Sequence, residues 1–252
     1  MDVSQRLKDD VSRTDHRRVL AMFPFFNEEQ KVSEMAPRLA SVMVHQFIGV
    51  NDGSTDRGPE ILRRQGIAVI DQEHRCGVGA CIKRAIGYAQ EQGYGILVVM
   101  AGNNKDDPAE IPRLLQPILD GQVDYVQGSR FLPGGTSPNL PKFRLFSIKF
   151  LSFIFKLQMG KSCTDLTNGF RAYRLSILDD PRINVWQEWL DGYELEYYIH
   201  WKVYRYGYRV CEVPVTKTYP ANKNISYTKI SPIIGWWHML RPFFLLSLGL
   251  KK

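Results

Sequence analysis

Short apolar runs at residues 19–25, 46–50, 67–70 and 96–100, with another from residue 123, are separated by longer segments whose apolar positions recur at helical spacing. Such runs, bounded by turn residues, read as buried strands, and their alternation with helices predicts a largely parallel sheet covered on both faces. Helices are expected from residue 29 to near 42, briefly before residue 67, from Gly77 to about 90, and over 108–119. Polar clusters follow the strands at 27–29, 51–56 and 101–107, so they should share the carboxyl edge of the sheet, where open α/β sheets bind ligands. Taken alone, these clusters are equally served by ordinary turns and helix caps. Gly77 and Gly79 resemble a phosphate loop, but two glycines before a helix also suit a tight turn with close packing.

Beyond Arg130 the pattern changes. A Gly- and Pro-rich loop at 132–141, expected to be mobile, leads into a strongly apolar segment at 143–156 that carries Arg144, Lys149 and Lys156. That segment fits either a membrane-interface helix or a core helix with snorkelling lysines. The run 236–246, with Trp236, Trp237 and Arg241 and a Lys251-Lys252 end, strengthens the interface reading. The expected organisation is a loose leader at 1–18, an α/β domain at 19–228, and a C-terminal amphipathic extension at 229–252.

The 252 residues suffice for a sizeable core, and the net charge of +7 favours anionic partners such as nucleotide phosphates or a lipid surface. Nucleic acid is not expected, since the basic residues are dispersed and form no known module. Cys76, Cys81, Cys163 and Cys211 are scattered without a CxxC pair, which suits a reducing cytoplasmic setting. The charged N-terminus does not read as a secretory signal, and no apolar stretch approaches the roughly 20 residues that cross a bilayer.

Several motifs in order now carry a resemblance: Phe23-Pro24-Phe25-Phe26-Asn27-Glu28, Val50-Asn51-Asp52-Gly53-Ser54-Thr55-Asp56, Asp107-Pro108-Ala109-Glu110-Ile111, Gly128-Ser129-Arg130 and Thr164-Asp165-Leu166-Thr167-Asn168-Gly169-Phe170-Arg171. Together they resemble the family 2 glycosyltransferases, nearest to polyprenyl-phosphate sugar synthases of the dolichyl-phosphate mannose synthase type. The resemblance implies a GT-A fold, a mostly parallel central sheet flanked by helices, and inverting transfer from a UDP- or GDP-sugar. The implied acceptor is a polyprenyl phosphate, on the cytoplasmic face of a membrane where the protein is peripheral. It puts Pro24, Asn27, Glu28, Asp52, Ser54, Gly102, Asn103 and Lys223 at the nucleotide sugar, with Lys229 in the same basic tail. Arg130 and Arg144 fall at the acceptor phosphate, and Asp165 near donor sugar and acceptor, where it serves as base if the acceptor is an alcohol. Glu194 and Glu196 fall on a helix beside the cleft, with helix surface the expected role.

One departure matters. Where relatives carry two aspartates that hold a divalent metal, Mg or Mn, this chain has Ala101 and Asn103, with Lys105 close by. Three readings follow. Lys105 supplies the positive charge itself and no metal is needed; or a metal binds in a shifted register through Asn103 and Asp106 or Asp107, although Asp107 suits a helix cap; or the protein is a non-catalytic nucleotide-sugar binding subunit. A soluble transferase acting on a saccharide or natural-product hydroxyl is the remaining alternative.

Overall fold

The computed structural model describes residues 15–221 and 234–251. The first strand, β1, spans Asp15–Phe25 and so begins within the expected leader. It is followed by α1 (Glu29–Leu39), β2 (Gln46–Asn51), α2 (Gly58–Arg64), β3 (Ala68–Asp71), α3 (Val78–Glu91) and β4 (Tyr94–Val99). Next come a 3-10 turn at Pro108–Glu110, α4 (Ile111–Leu119) and β5 (Tyr125–Ser129). The remainder comprises α5 (Lys142–Met159), β6 (Arg171–Arg174), α6 (Glu194–Arg205), β7 (Val210–Pro214) and α7 (Ile234–Ser247).

The seven strands form one sheet in the order β3-β2-β1-β4-β6-β5-β7. Only β6 runs antiparallel to its neighbours. Two cores cover the sheet. Val32, Met35 and Leu39 of α1 and Ile111, Leu114 and Ile118 of α4 pack on one face; Cys81, Ile82, Ala85 and Ile86 of α3 pack with α6 on the other. Every residue of β4 is buried, as a strand covered on both faces requires.

The strand order reverses between β1 and β4, and this crevice positions the site. Met22 pairs with Val99, the last β4 residue in the ladder, while β1 continues beside β2 to Phe25 opposite Asn51. Pro24 therefore falls where β4 has already left, a place where a proline costs no ladder bond. The polar clusters that follow β1, β2 and β4 thereby emerge side by side.

The loop at 132–141 is not the free segment its composition suggests. Thr136 N donates to Val215 O (3.2 Å), Lys217 N to Thr136 O (3.1 Å) and Tyr219 N to Pro138 O (3.0 Å), stapling it to the chain leaving β7. Helix α5 is apolar on both its buried and its exposed face. Ile148, Leu151 and Phe155 are buried, whereas Phe143, Phe146, Phe150, Phe153 and Leu157 form an exposed stripe, between 53% and 72% open to solvent. Helix α7 docks through Phe243, which meets Phe155 and Tyr197 edge-on, and through Arg241, paired with the buried Glu194 at 2.6 Å. Trp237 and Phe244, stacked at 6.5 Å, stay exposed. Among the described residues no helix is long and apolar enough to cross a membrane.

Candidate active site

Turn chemistry holds the first two clusters together. Asn27 takes the left-handed conformation (φ 48°), which asparagine tolerates better than most residues. Its amide donates to Ser54 Oγ (3.0 Å) and its Oδ1 accepts from Thr55 N (2.8 Å). Asp52 is buried, and its Oδ1 accepts from Cys76 N (2.7 Å), Gly77 N (3.0 Å) and Gln72 Nε2 (3.1 Å). The carboxylate thus pins the 75–77 loop against β2. Gly77 and Gly79 serve close packing: a Cβ on Gly79 would stand 2.0 Å from Leu190 O.

The third cluster hugs β1. A Cβ on Gly102 would lie 2.3 Å from Pro24 O, so only glycine lets this loop pass. Asp106 is buried; its Oδ2 accepts from Ala101 N (2.8 Å) and its Oδ1 from Lys217 Nζ (2.5 Å). Asp107 caps the following turn through Ala109 N (3.1 Å) and pairs with Arg38 (2.8 Å).

These loops open on a cavity of about 460 Å³ between the strand ends and the start of α6. Pro24, Asn27, Glu28, Asp52, Gly102, Asn103, Lys105 and Arg144 all line it, so eight of the sequence-derived residues converge. Five cationic side chains, Lys31, Arg75, Lys105, Arg144 and Lys217, face three carboxylates, Glu28, Asp52 and Glu196. Lys31 bridges Glu28 (2.5 Å). Burial first, then the charges of Lys217, Arg144 and Lys31, pull Lys105 down to about 7 against the opposing attraction of Asp106. Lys105 Nζ and the Arg144 guanidinium both sit over the ring of Tyr219, at 5.4 and 5.6 Å from its centre.

Several sequence-derived residues lie elsewhere. Ser54 is absent from the cavity wall and acts behind it by holding Asn27. Arg130 and Asp165 face each other in the interior, 3% and 0% exposed, and neither lines the cavity. Arg130 Nε and an Nη donate to the two Asp165 oxygens (both 2.6 Å), the other Nη to Tyr219 Oη (2.7 Å). Burial opposes the guanidinium charge, but Asp165 overrides it and raises the Arg130 pKa above its ordinary value. Arg130 and Asp165 thus engage each other and Tyr219, away from the cavity wall that the other sequence-derived residues share. Lys223 and Lys229 lie outside the described residues.

The donor set also does not fit a divalent cation. Hard cations want several oxygen ligands. Ala101 offers none from its side chain, and both Asp106 oxygens are engaged, so the shifted register through Asn103 and Asp106 would compete with Ala101 N and Lys217 for the carboxylate. Asn103 Oδ1 is a buried oxygen with no hydrogen-bond partner, but Lys105 lines the same space. Among the described residues no group of three acidic, histidine or cysteine side chains could hold a metal.

Sequence reasoning did not find Lys31, Lys217, Tyr219 or the cavity role of Glu196. Glu196 lines the wall from the first turn of α6 and lies 3.7 Å from Arg171 Nε. The alternating run at 210–215 was the available signal for β7, whose exit delivers Lys217 and Tyr219.

Comparison with known proteins agrees with this arrangement. Residues 21–180 match the model of glycosyl transferase family 2. The polyprenol monophosphomannose synthase of Mycolicibacterium smegmatis is 30% identical over 219 residues, 84% of this chain and 81% of that protein. The undecaprenyl-phosphate mannosyltransferase of Micrococcus luteus is 27% identical over 205 residues, covering 79% and 83%. Among solved structures, glucosyl-3-phosphoglycerate synthase of Mycobacterium tuberculosis, crystallised with Mn2+, UDP and glucosyl-3-phosphoglycerate, superposes with a TM-score of 0.67 at 18% identity, covering 94% of this chain and 81% of that one. That likeness fixes the GT-A fold. From the ordered motifs, the strand-edge cavity and these matches together, the chain belongs to glycosyl transferase family 2.

Proposed function

We propose that the chain is an inverting glycosyltransferase that moves a sugar from a nucleotide diphosphate to a polyprenyl phosphate at a membrane surface, with lysine charge where relatives use a metal. The observation that carries this reading is the cationic wall of Lys105, Lys217 and Arg144 at the strand edge, facing the turns of Asn27 and Asp52. The names of the two curated relatives support a lipid-phosphate acceptor.

In this reading the turns at Asn27 and Asp52 flank the nucleoside, and Lys105 faces the diphosphate, with Lys217, itself paired to Asp106, on the same wall. Arg144, at the first turn of α5, takes the acceptor phosphate. A phosphate oxygen attacks the anomeric carbon from the side opposite the diphosphate. The new carbon–oxygen bond forms as the bond to the leaving phosphate breaks, and the electron pair departs with the nucleoside diphosphate. The attacking oxygen is already anionic, so no general base is needed and none is required of Asp165. Charge builds on the leaving group, where fixed cations contribute most.

The acceptor would arrive along α5. Its exposed Phe143, Phe146, Phe150, Phe153 and Leu157, with exposed Lys149 and Lys156, suit an interface helix on anionic lipid. The open Trp237 and Phe244 of α7 suit the same role. The unpaired thiols of Cys76, Cys81, Cys163 and Cys211 fit the cytoplasmic face.

The deciding experiment is incubation of the protein with radiolabelled UDP- and GDP-hexoses and undecaprenyl phosphate in phosphatidylglycerol vesicles. Label should move to the lipid fraction with one donor class. Donor binding without transfer to lipid or to any saccharide would leave a binding subunit; transfer to saccharide alone would remove the lipid acceptor.

A further inference from the structure

The two cations that the proposed reaction needs at opposite ends of the transferred sugar share one aromatic ring. Tyr219 is 2% exposed, and Lys105 Nζ and the Arg144 guanidinium lie 5.4 and 5.6 Å from its centre. Both approach distances fall within the range at which a ring face attracts a cation. Its hydroxyl and its backbone are both held. Arg130, locked by Asp165, donates to its hydroxyl; Tyr219 N donates to Pro138 O and Asn139 Nδ2 to Tyr219 O (3.0 Å each). One residue earlier, Thr218 N donates to Lys105 O (2.9 Å), tying the lysine's own backbone to the same segment. Lys105 and Arg144 come from different parts of the chain and repel each other, so a shared ring is what can keep them at a defined separation.

We propose that Tyr219 is a positioning residue whose ring fixes Lys105 for the donor diphosphate and Arg144 for the acceptor phosphate at a set spacing. This rests on the proposed function, since it assigns the two cations to two phosphates.

Two substitutions separate the ring from its hydroxyl. Tyr219→Phe keeps the face and loses the acceptor of Arg130; Tyr219→Gln keeps an acceptor and loses the face. Calorimetry with UDP, GDP and inorganic pyrophosphate on the full chain reads the donor side. Tyr219→Phe should bind within about threefold of wild type, and Tyr219→Gln about tenfold more weakly, the size expected for one desolvated cation–ring contact. In a Lys105→Ala background the Gln substitution should cost less than about twofold, because a residue acting through Lys105 has nothing left to position. Equal losses with and without Lys105, or a Phe variant weaker than the Gln variant, would overturn the assignment while leaving the proposed reaction standing. A wild-type protein that binds none of the three probes would overturn both.

Discussion

Replacing Asp165 by Asn should lower the stability of the fold. The two side chains of the Arg130–Asp165 pair are 1% and 0% exposed, and Asp165 accepts from the guanidinium at both oxygens and from Arg130 N. Asn keeps the shape but removes the charge, leaving the guanidinium buried without its counter-ion. Breaking one partner of a buried pair costs about 3–5 kcal/mol. For a chain of this length that corresponds to a fall in Tm of about 6–20 °C. Urea denaturation and a thermal melt should both show it, in protein never exposed to substrate. A second arm sharpens the test: the double replacement Arg130→Met with Asp165→Leu should cost less than the two single changes added together, because no isolated charge is left behind. An Asp165→Asn protein that melts within about 1 °C of wild type yet has lost turnover would refute this reasoning and restore Asp165 as a group of the reaction.

Further predictions concern the cavity, the loop beneath it and the outer face of α5. Lys105 is held down to about 7 by burial and by its cationic neighbours, so its charged form prevails below that pH and fades above it. A bound diphosphate favours the ammonium, so UDP or GDP affinity measured by calorimetry should fall as pH rises from 7 to 8.5, by up to about tenfold per unit, and flatten in Lys105→Ala. Gly102→Ala should reduce nucleotide affinity at least about tenfold in the same assay, since its methyl would collide with Pro24 O. Replacing Phe146, Phe150 and Phe153 together by Ser should leave the melting temperature unchanged within about 2 °C, because these side chains are exposed, and should abolish flotation with phosphatidylglycerol vesicles.

The parallel half of the sheet was legible because its strands are short apolar runs ending in polar turns, and the turn residues at 27, 52 and 102–105 sit where such strands deliver them. Strand β6 escaped because Arg171-Ala172-Tyr173-Arg174 looks polar. Arg171 is buried with hydrogen bonds from its guanidinium to Tyr125 Oη and to the carbonyls of Asn168 and Glu196, two of them partners remote in sequence. The same blindness applies to Arg130 and Asp165. An arginine in a phosphate-binding motif and one neutralised by a carboxylate 35 residues away look alike until the chain is folded. Helix α5 was ambiguous for a different reason: its buried and exposed faces are both apolar, so hydrophobic spacing marks no boundary between them.

The claim that a lysine stands in for a metal is tested most directly by measuring sugar transfer to undecaprenyl phosphate in excess EDTA, for the wild type and for Lys105→Ala. Wild-type turnover should persist in chelator, unchanged by added Mn2+ or Mg2+, while the alanine variant should lose about 10²–10³-fold, the usual cost of removing one group that stabilises developing negative charge. Wild-type transfer abolished by EDTA and restored by Mn2+, with Lys105→Ala still active, would contradict it.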